Sequence, residues 1–190
     1  NEAKTRIAYR NSKQVVTGLV VNKKISVDHE YCRRVRAMAH SLYTNGSYVV
    51  DGVAGNIPQL EGRFSFIDQI EQYNIAIDSA GKHDSFSLNG REKQYQKFLF
   101  YRYFFDCDKP LLITEGKTDV RYIKAALKNL YTEYPELIQP DGKEDFIYRI
   151  KFLKRSDRFK NLFGLALDGA DSITNLYDYF ASKGKNKRTN

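Results

Sequence analysis

The stretch QVVTGLVVNKKISV, residues 14–27, contains two short runs of β-branched residues that are separated by turn signals. Thr17-Gly18 lies between the two runs, and Asn22-Lys23-Lys24 ends the second run. β-Branched residues favour strands, whereas Gly and Asn favour the tight turns between strands. The stretch therefore predicts a small β-hairpin in the first part of the chain.

A helix is predicted directly after this hairpin. Ser26 or Asp28 can cap its first turn, and Asn45-Gly46 provides a stop signal. The apolar residues on one of its faces recur at helical spacing and are Tyr31, Val35, Met38, Ala39 and Leu42. Three basic residues fall largely on its other faces, namely Arg33, Arg34 and Arg36.

Two further helices are predicted, over residues 62–74 and 91–106, and the second is both basic and strongly aromatic. The glycine-containing residues 48–58 and the polar residues 78–90 are interpreted as a loop and an exposed connector. After residue 107 the pattern changes to an apolar run, PLLIT, then Glu115-Gly116, then a helical stretch that Thr118 can cap. A strand, a tight turn and a helix in this order are typical of the start of an α/β unit. We therefore expect an α+β chain with two domains, residues 1–107 and 108–190.

Composition favours a nucleic-acid partner. The 190 residues carry a formal net charge of +8, and 14 Tyr and 12 Phe are interleaved with many Lys and Arg. Positive charge attracts phosphates, and aromatic rings suit stacking on bases or sugars. Neither a membrane-spanning apolar run nor a signal peptide is recognisable, which predicts a cytoplasmic protein without a membrane partner. Cys32 and Cys107 match no metal or redox spacing, and the three histidines are too scattered for a zinc site.

Residues 14–22, with the YCRRVRAMAH helix after them, resemble the thumb region of reverse transcriptases related to group II introns. Val16-Thr17-Gly18 is similar to the VTG triplet of retron reverse transcriptases, and LEGRFSFIDQI, residues 60–70, is similar to a later pattern of that family. The resemblance covers roughly residues 5–75. It implies a mainly helical thumb that grips a structured noncoding RNA. The residues that it assigns to RNA binding are Val16, Thr17, Gly18, Asn22, Arg33, Arg34 and Arg36.

A second segment, LLITEGKTDVRYIKAAL at residues 111–127, resembles the beginning of a Toprim domain. The resemblance implies that Glu115 is a catalytic carboxylate and that Glu115 and Asp119 help to hold Mg²⁺. Toprim domains also contain an Asp-x-Asp pair at the end of a later strand. Asp168 and Asp171 are spaced one residue too far apart for that pair, so we expect it beyond residue 190.

Together the two resemblances imply part of a retron RNA-directed DNA polymerase with an incomplete, nuclease-like Toprim effector, in antiphage defence. The expected partners are the noncoding RNA, its branched RNA–DNA product (msDNA) and an RNA or DNA target of the Toprim domain. No Tyr-x-Asp-Asp motif of a polymerase occurs, so we expect the segment to belong to a larger protein and not to polymerise alone. Two alternatives stay open: a non-catalytic RNA-binding module and a stand-alone Toprim nuclease. Homo-oligomerisation also stays open.

Overall fold

The computed structural model describes residues 9, 11–78, 88–142, 145–153, 156–164 and 171–185, and only the backbone of residues 117, 171, 172 and 182–185. The chain is mixed α+β, as predicted, and divides into two compact units, Asn1–Phe98 and Leu99–Asn190. The predicted domain boundary after residue 107, which rests on a change in composition, lies later in the chain than Phe98, where the first unit ends. No helix within the described ranges has the length and apolarity needed to cross a bilayer.

The first unit opens with a three-stranded antiparallel sheet. Its strands are β1 (Val15–Val16), β2 (Leu19–Val20) and β3 (Ser26–Val27), in the order β1-β2-β3. Val16 pairs with Leu19, so Thr17-Gly18 forms a two-residue turn and the predicted hairpin is confirmed. On the other side of β2, Leu19 pairs with the buried Val27 of β3.

Helix α1 (His29–Asn45) follows the sheet, as predicted. Asp28 caps it by accepting a hydrogen bond from the backbone N–H of Glu30 at 2.7 Å. Gly46 ends it in the left-handed conformation, with φ of 72°, which glycine adopts without steric cost. The buried residues of α1 are Cys32, Val35, Ala39 and Leu42.

Residues 48–58 contain more regular structure than the predicted loop. They form a second hairpin from β4 (Val49–Val50) and β5 (Val53–Ala54), and its tip is Asp51-Gly52. Helix α2 (Ile57–Asp78) begins earlier than predicted, because Pro58 lies in its first turn, where a missing N–H costs no helical hydrogen bond. The Tyr48 hydroxyl donates to the backbone oxygen of Asn56 at 2.6 Å and so joins this hairpin to the residue before α2.

The apolar core of the first unit lies among α1, α2 and the first part of α3 (Gly90–Phe104). Leu60 and Phe98 are fully buried, and the rings of Phe64 and Phe98 stack with their centroids 4.9 Å apart. The sheet is attached to α2 by Asn74, whose side-chain amide donates to the backbone oxygen of Ile25 at 2.7 Å.

The second unit contains β6 (Leu111–Leu112), α4 (Lys117–Asn129), β7 (Ile138–Pro140), β8 (Phe146–Tyr148), β9 (Lys151–Phe152), α5 (Asp157–Phe163) and α6 (Asp171–Lys185). β6 pairs in parallel with β9, whereas β7 and β8 form an antiparallel hairpin. The parallel pair is joined through α4 and this hairpin, which agrees with the α/β start predicted from the PLLIT run. Buried Ile138, Leu153 and Leu162 contribute to its core.

Candidate nucleic-acid interface

The tip of the first hairpin is exposed and conformationally unusual. Thr17 has φ of 50° and Gly18 has φ of 87°, so both central residues of the turn are left-handed, as a type I′ turn requires. Gly18 adopts this conformation freely, but a β-branched residue such as Thr17 does so only under strain. Val15 and Val16 beside the turn are 51% and 57% exposed. Strained, exposed residues of this kind are found disproportionately at binding sites.

Asn22 holds the base of this hairpin. Its side-chain oxygen accepts from the backbone N–H of Gln14 at 2.9 Å, and its amide nitrogen donates to the backbone oxygen of Ser12 at 2.6 Å. Both polar ends of the side chain therefore contact the protein backbone. The sequence assigned Asn22 to RNA binding, and this geometry indicates that it positions the hairpin.

An ion pair joins the segment before the hairpin to the start of α1. The Lys13 ammonium contacts the Asp28 carboxylate. The Lys13 ammonium and then the Glu30 N–H hold the pKa of Asp28 below its usual value. The sequence interpretation did not include Lys13, because nothing in the pattern indicates that it lies near the first turn of α1. The hairpin is thus fastened at its base by Lys13, Asn22 and Asp28.

The three arginines of α1 are all exposed and differ in their partners. Arg33 is paired with Glu30, one turn earlier, at 2.9 Å. Arg34 and Arg36 make no ion pair or hydrogen bond to any residue that the structure describes. An exposed guanidinium without a carboxylate partner is available to phosphate oxygens. Arg34 and Arg36 therefore fit the predicted role better than Arg33 does.

The acidic residues of the second unit have different surroundings. Glu115 is exposed and lies shortly after β6. Asp119 lies in the first turn of α4, where its carboxylate accepts from the backbone N–H of Gly116 at 2.8 Å. Gly116, and not the predicted Thr118, is therefore the N-cap of α4, and Asp119 satisfies its N–H from the first turn.

A metal site was predicted to use both Glu115 and Asp119. Over the described stretches, no three His, Cys, Asp or Glu side chains come together as a metal-binding group. Asp168 lies outside the described residues, and of Asp171 only the backbone at the start of α6 is described. Mg²⁺ commonly takes one or two carboxylates and completes its shell with water and phosphate oxygens. Glu115 and Asp119 fit that smaller requirement by the chemistry of their oxygen donors.

Comparison with known proteins found no protein-family model that matches the sequence and no solved structure that matches the chain.

Proposed function

We propose that this chain is part of a retron RNA-directed DNA polymerase, in which the first unit binds a structured noncoding RNA. The observation that carries the proposal is the exposed hairpin tip at Val16-Thr17-Gly18, together with Arg34 and Arg36 of α1, which have no ion-pair partner among the described residues. The VTG triplet and this helix are also among the features on which the resemblance to retron polymerases rests.

The shape and chemistry of this surface suit RNA. The minor groove of A-form RNA is wide and shallow, and proteins bind it through shape, 2′-hydroxyl and phosphate contacts. The turn without a side chain at Gly18 allows close backbone approach, and the Thr17 hydroxyl offers a polar group at the tip. Arg34 and Arg36 supply the phosphate contacts that dominate affinity.

The second unit is proposed to begin a Toprim domain with nuclease-like activity. Support comes from the short parallel pair β6–β9, with Glu115 following β6 and α4 following Glu115. Carboxylates at the carboxyl ends of parallel strands face the crevice where α/β folds bind ligands. Mg²⁺ held by Glu115 and Asp119 would neutralise phosphate charge during strand cleavage.

In this proposal the whole protein makes a branched RNA–DNA hybrid in the cytoplasm and contributes to antiphage defence. Those roles follow from the resemblance of the two segments. A non-catalytic RNA-binding module is the main alternative, because the surface of the first unit alone would serve it equally well. The two differ in whether the complete protein performs Mg²⁺-dependent chemistry.

The salt dependence of RNA binding tests the assignment of Arg34 and Arg36. The probe is a structured RNA hairpin titrated with the 190-residue chain and with Arg34→Ala and Arg36→Ala variants. Each variant should bind more weakly, and the slope of log K against log salt should become shallower by about 1 for each lost phosphate contact. Lys93→Ala, which removes one exposed charge from α3, is the matched control and should leave the slope unchanged.

Slopes of the two arginine variants equal to the wild-type slope would remove both residues from the interface. Equal affinity for the RNA hairpin and for a DNA duplex of the same length would also contradict an RNA-specific thumb, because only RNA has 2′-hydroxyl groups and an A-form groove.

A further inference from the structure

A row of basic side chains lies on the exposed face of α4, in the second unit. Arg121, Lys124 and Lys128 are all exposed and follow one another at spacings of three and four residues. Residues spaced in this way are neighbours on a helix surface, with Cβ atoms roughly 5–6 Å apart. The three side chains therefore form a continuous line of positive charge along α4, as a surface that follows a nucleic-acid backbone requires.

Aromatic rings hold both lysines of this row in place. The Lys124 ammonium lies 5.4 Å from the ring centroid of Tyr148 and 5.3 Å from that of Phe152. The Lys128 ammonium lies 5.4 Å from the ring centroid of Phe146. A ring attracts an ammonium group but carries no net charge, so it fixes the position of the group without cancelling its charge. Lysines fixed in this way lose less conformational freedom when they bind a phosphate.

The charges of the row are only partly offset by carboxylates. Lys128 lies 3.6 Å from the Asp145 carboxylate, which reduces its attraction for other anions. Arg121 and Lys124 make no ion pair with any residue that the structure describes. Asp119, in the first turn of α4, uses its carboxylate to accept a backbone N–H at 2.8 Å. Arg121 and Lys124 are therefore the two charges of the row that remain for phosphate oxygens.

An exposed aromatic ring lies beside the basic row. Tyr122 is 75% exposed, so most of its ring surface is open to a ligand. It lies about 100° around the helix axis from Arg121, and the small side chain of Ala125 falls between the two directions. A strand whose phosphates follow the row can therefore place a base on Tyr122 without crossing a large side chain.

We propose that this face of α4 binds a single strand of nucleic acid, with phosphates at Arg121 and Lys124 and one base stacked on Tyr122. A duplex fits this surface less well, because its bases stack on one another and leave no face free for the ring. The strand is DNA or RNA, since phosphates and base faces are common to both. Binding does not depend on the proposed function, and only the identification of the strand as the target of the Toprim-like site rests on it.

Tryptophan fluorescence gives a readout that is specific to this surface, because the chain contains no Trp. Tyr122→Trp introduces one indole there, and a base stacked on it should quench its emission. The probes are short unstructured single strands of DNA and of RNA, and a fully paired DNA duplex of the same length. Both single strands should quench strongly and the duplex weakly. Tyr177→Trp, at a 70% exposed position of α6, is the matched control and should respond little to any probe.

Charge variants in the Tyr122→Trp chain test the phosphate contacts. Arg121→Gln and Lys124→Met should each weaken binding several-fold and make the slope of log K against log salt shallower by about 0.7. Met keeps an apolar side chain against the rings, and Lys124→Arg, which keeps the charge, should bind normally. Lys93→Gln removes one exposed charge from α3 and should leave the slope unchanged. Thermal denaturation identifies unfolded variants, and Arg121→Gln, at an exposed position, retains the test if Lys124→Met does not fold.

The single strand that binds more tightly identifies the sugar that the surface prefers, and equal affinity assigns a surface that does not distinguish DNA from RNA. No quenching of Tyr122→Trp by either single strand would overturn the proposal. Equal quenching by the duplex, equal quenching of Tyr177→Trp, or unchanged salt slopes would also overturn it. Binding of a structured RNA hairpin to the first unit is measured separately, so its loss would count against the proposed function alone.

Discussion

Thr17 is the residue whose conformation most needs an explanation. Both hairpin tips of the first unit place a non-glycine residue at φ of 50°, Thr17 in one and Asp51 in the other. Asp tolerates the left-handed region through local hydrogen bonding, whereas a β-branched side chain is strained there. The Thr17 hydroxyl donates to the backbone oxygen of Val16 at 2.8 Å, which offsets part of that strain. A strained residue at an exposed tip supports the proposal that Thr17 contacts a partner.

Replacing Thr17 by Asn should stabilise the chain and weaken RNA binding. Asn-Gly is the preferred pair in a type I′ turn, so Thr17→Asn should raise the free energy of unfolding by about 1 kcal/mol. Denaturant unfolding measures this change, and Asp51→Asn at the other tip is the control that should leave stability nearly unchanged. A lower unfolding midpoint in Thr17→Asn would contradict the strained turn. Stabilisation with undiminished RNA affinity would instead remove Thr17 from the interface.

The start of α1 is the element whose stability should depend on pH. The Lys13 ammonium and the Glu30 N–H lower the pKa of Asp28 in the folded state, so the folded protein binds a proton at Asp28 less readily than the unfolded chain does. The stabilisation is therefore complete above the ordinary aspartate pKa of 3.8 and is lost as the pH falls through the lower folded-state value.

Asp28→Asn isolates this charge, because Asn is an equally good N-cap. The wild type should unfold at a higher denaturant concentration than Asp28→Asn at about pH 6, and the difference should shrink at about pH 3. When Asp28→Asn is compared with Asp28 in a chain that carries Lys13→Gln, most of this difference in unfolding midpoint should be absent. The reason is that Lys13 is the main cause of the lowered pKa of Asp28. A difference that stays constant with pH would show that the ion pair contributes nothing to the stability of α1.

Elements formed by neighbouring residues could be predicted from the sequence. The first hairpin and α1 are set by local signals, namely Thr17-Gly18, the Asp28 cap and the Gly46 stop. The second hairpin could have been predicted too, since Asp-Gly between apolar residues is a strong signal for a two-residue turn. The prediction of a loop there rests instead on the glycines and the proline of residues 48–58.

Features that join distant parts of the chain could not be predicted. One cavity of the first unit is lined by side chains from α1, α2 and α3, and no periodicity relates Arg36 to Gln94 or Phe64. The pairing of β6 with β9 joins residues that are far apart in sequence, and such pairing leaves no local pattern. The role of Asn22 was also hidden, because a motif gives the residue type but does not reveal that its amide is already bonded to the backbone.

Under the proposed function, the two units have different roles. The first unit carries the hairpin tip, Arg34 and Arg36, on which the proposed contact with RNA rests. The second carries Glu115 and Asp119, the residues of the proposed Mg²⁺ site, after its parallel strand β6. The net charge of +8 favours a polyanion as the partner of the chain as a whole.

The nucleic acid that accompanies the protein in cells tests the retron assignment most directly. The full-length protein that carries this chain would be purified from cells, and its bound nucleic acid would be extracted and sequenced, with samples treated with RNase or DNase. We predict one small, defined RNA–DNA hybrid that each enzyme digests only in part. Heterogeneous RNA, or no nucleic acid, would contradict the retron assignment and favour a general RNA-binding module or an independent nuclease.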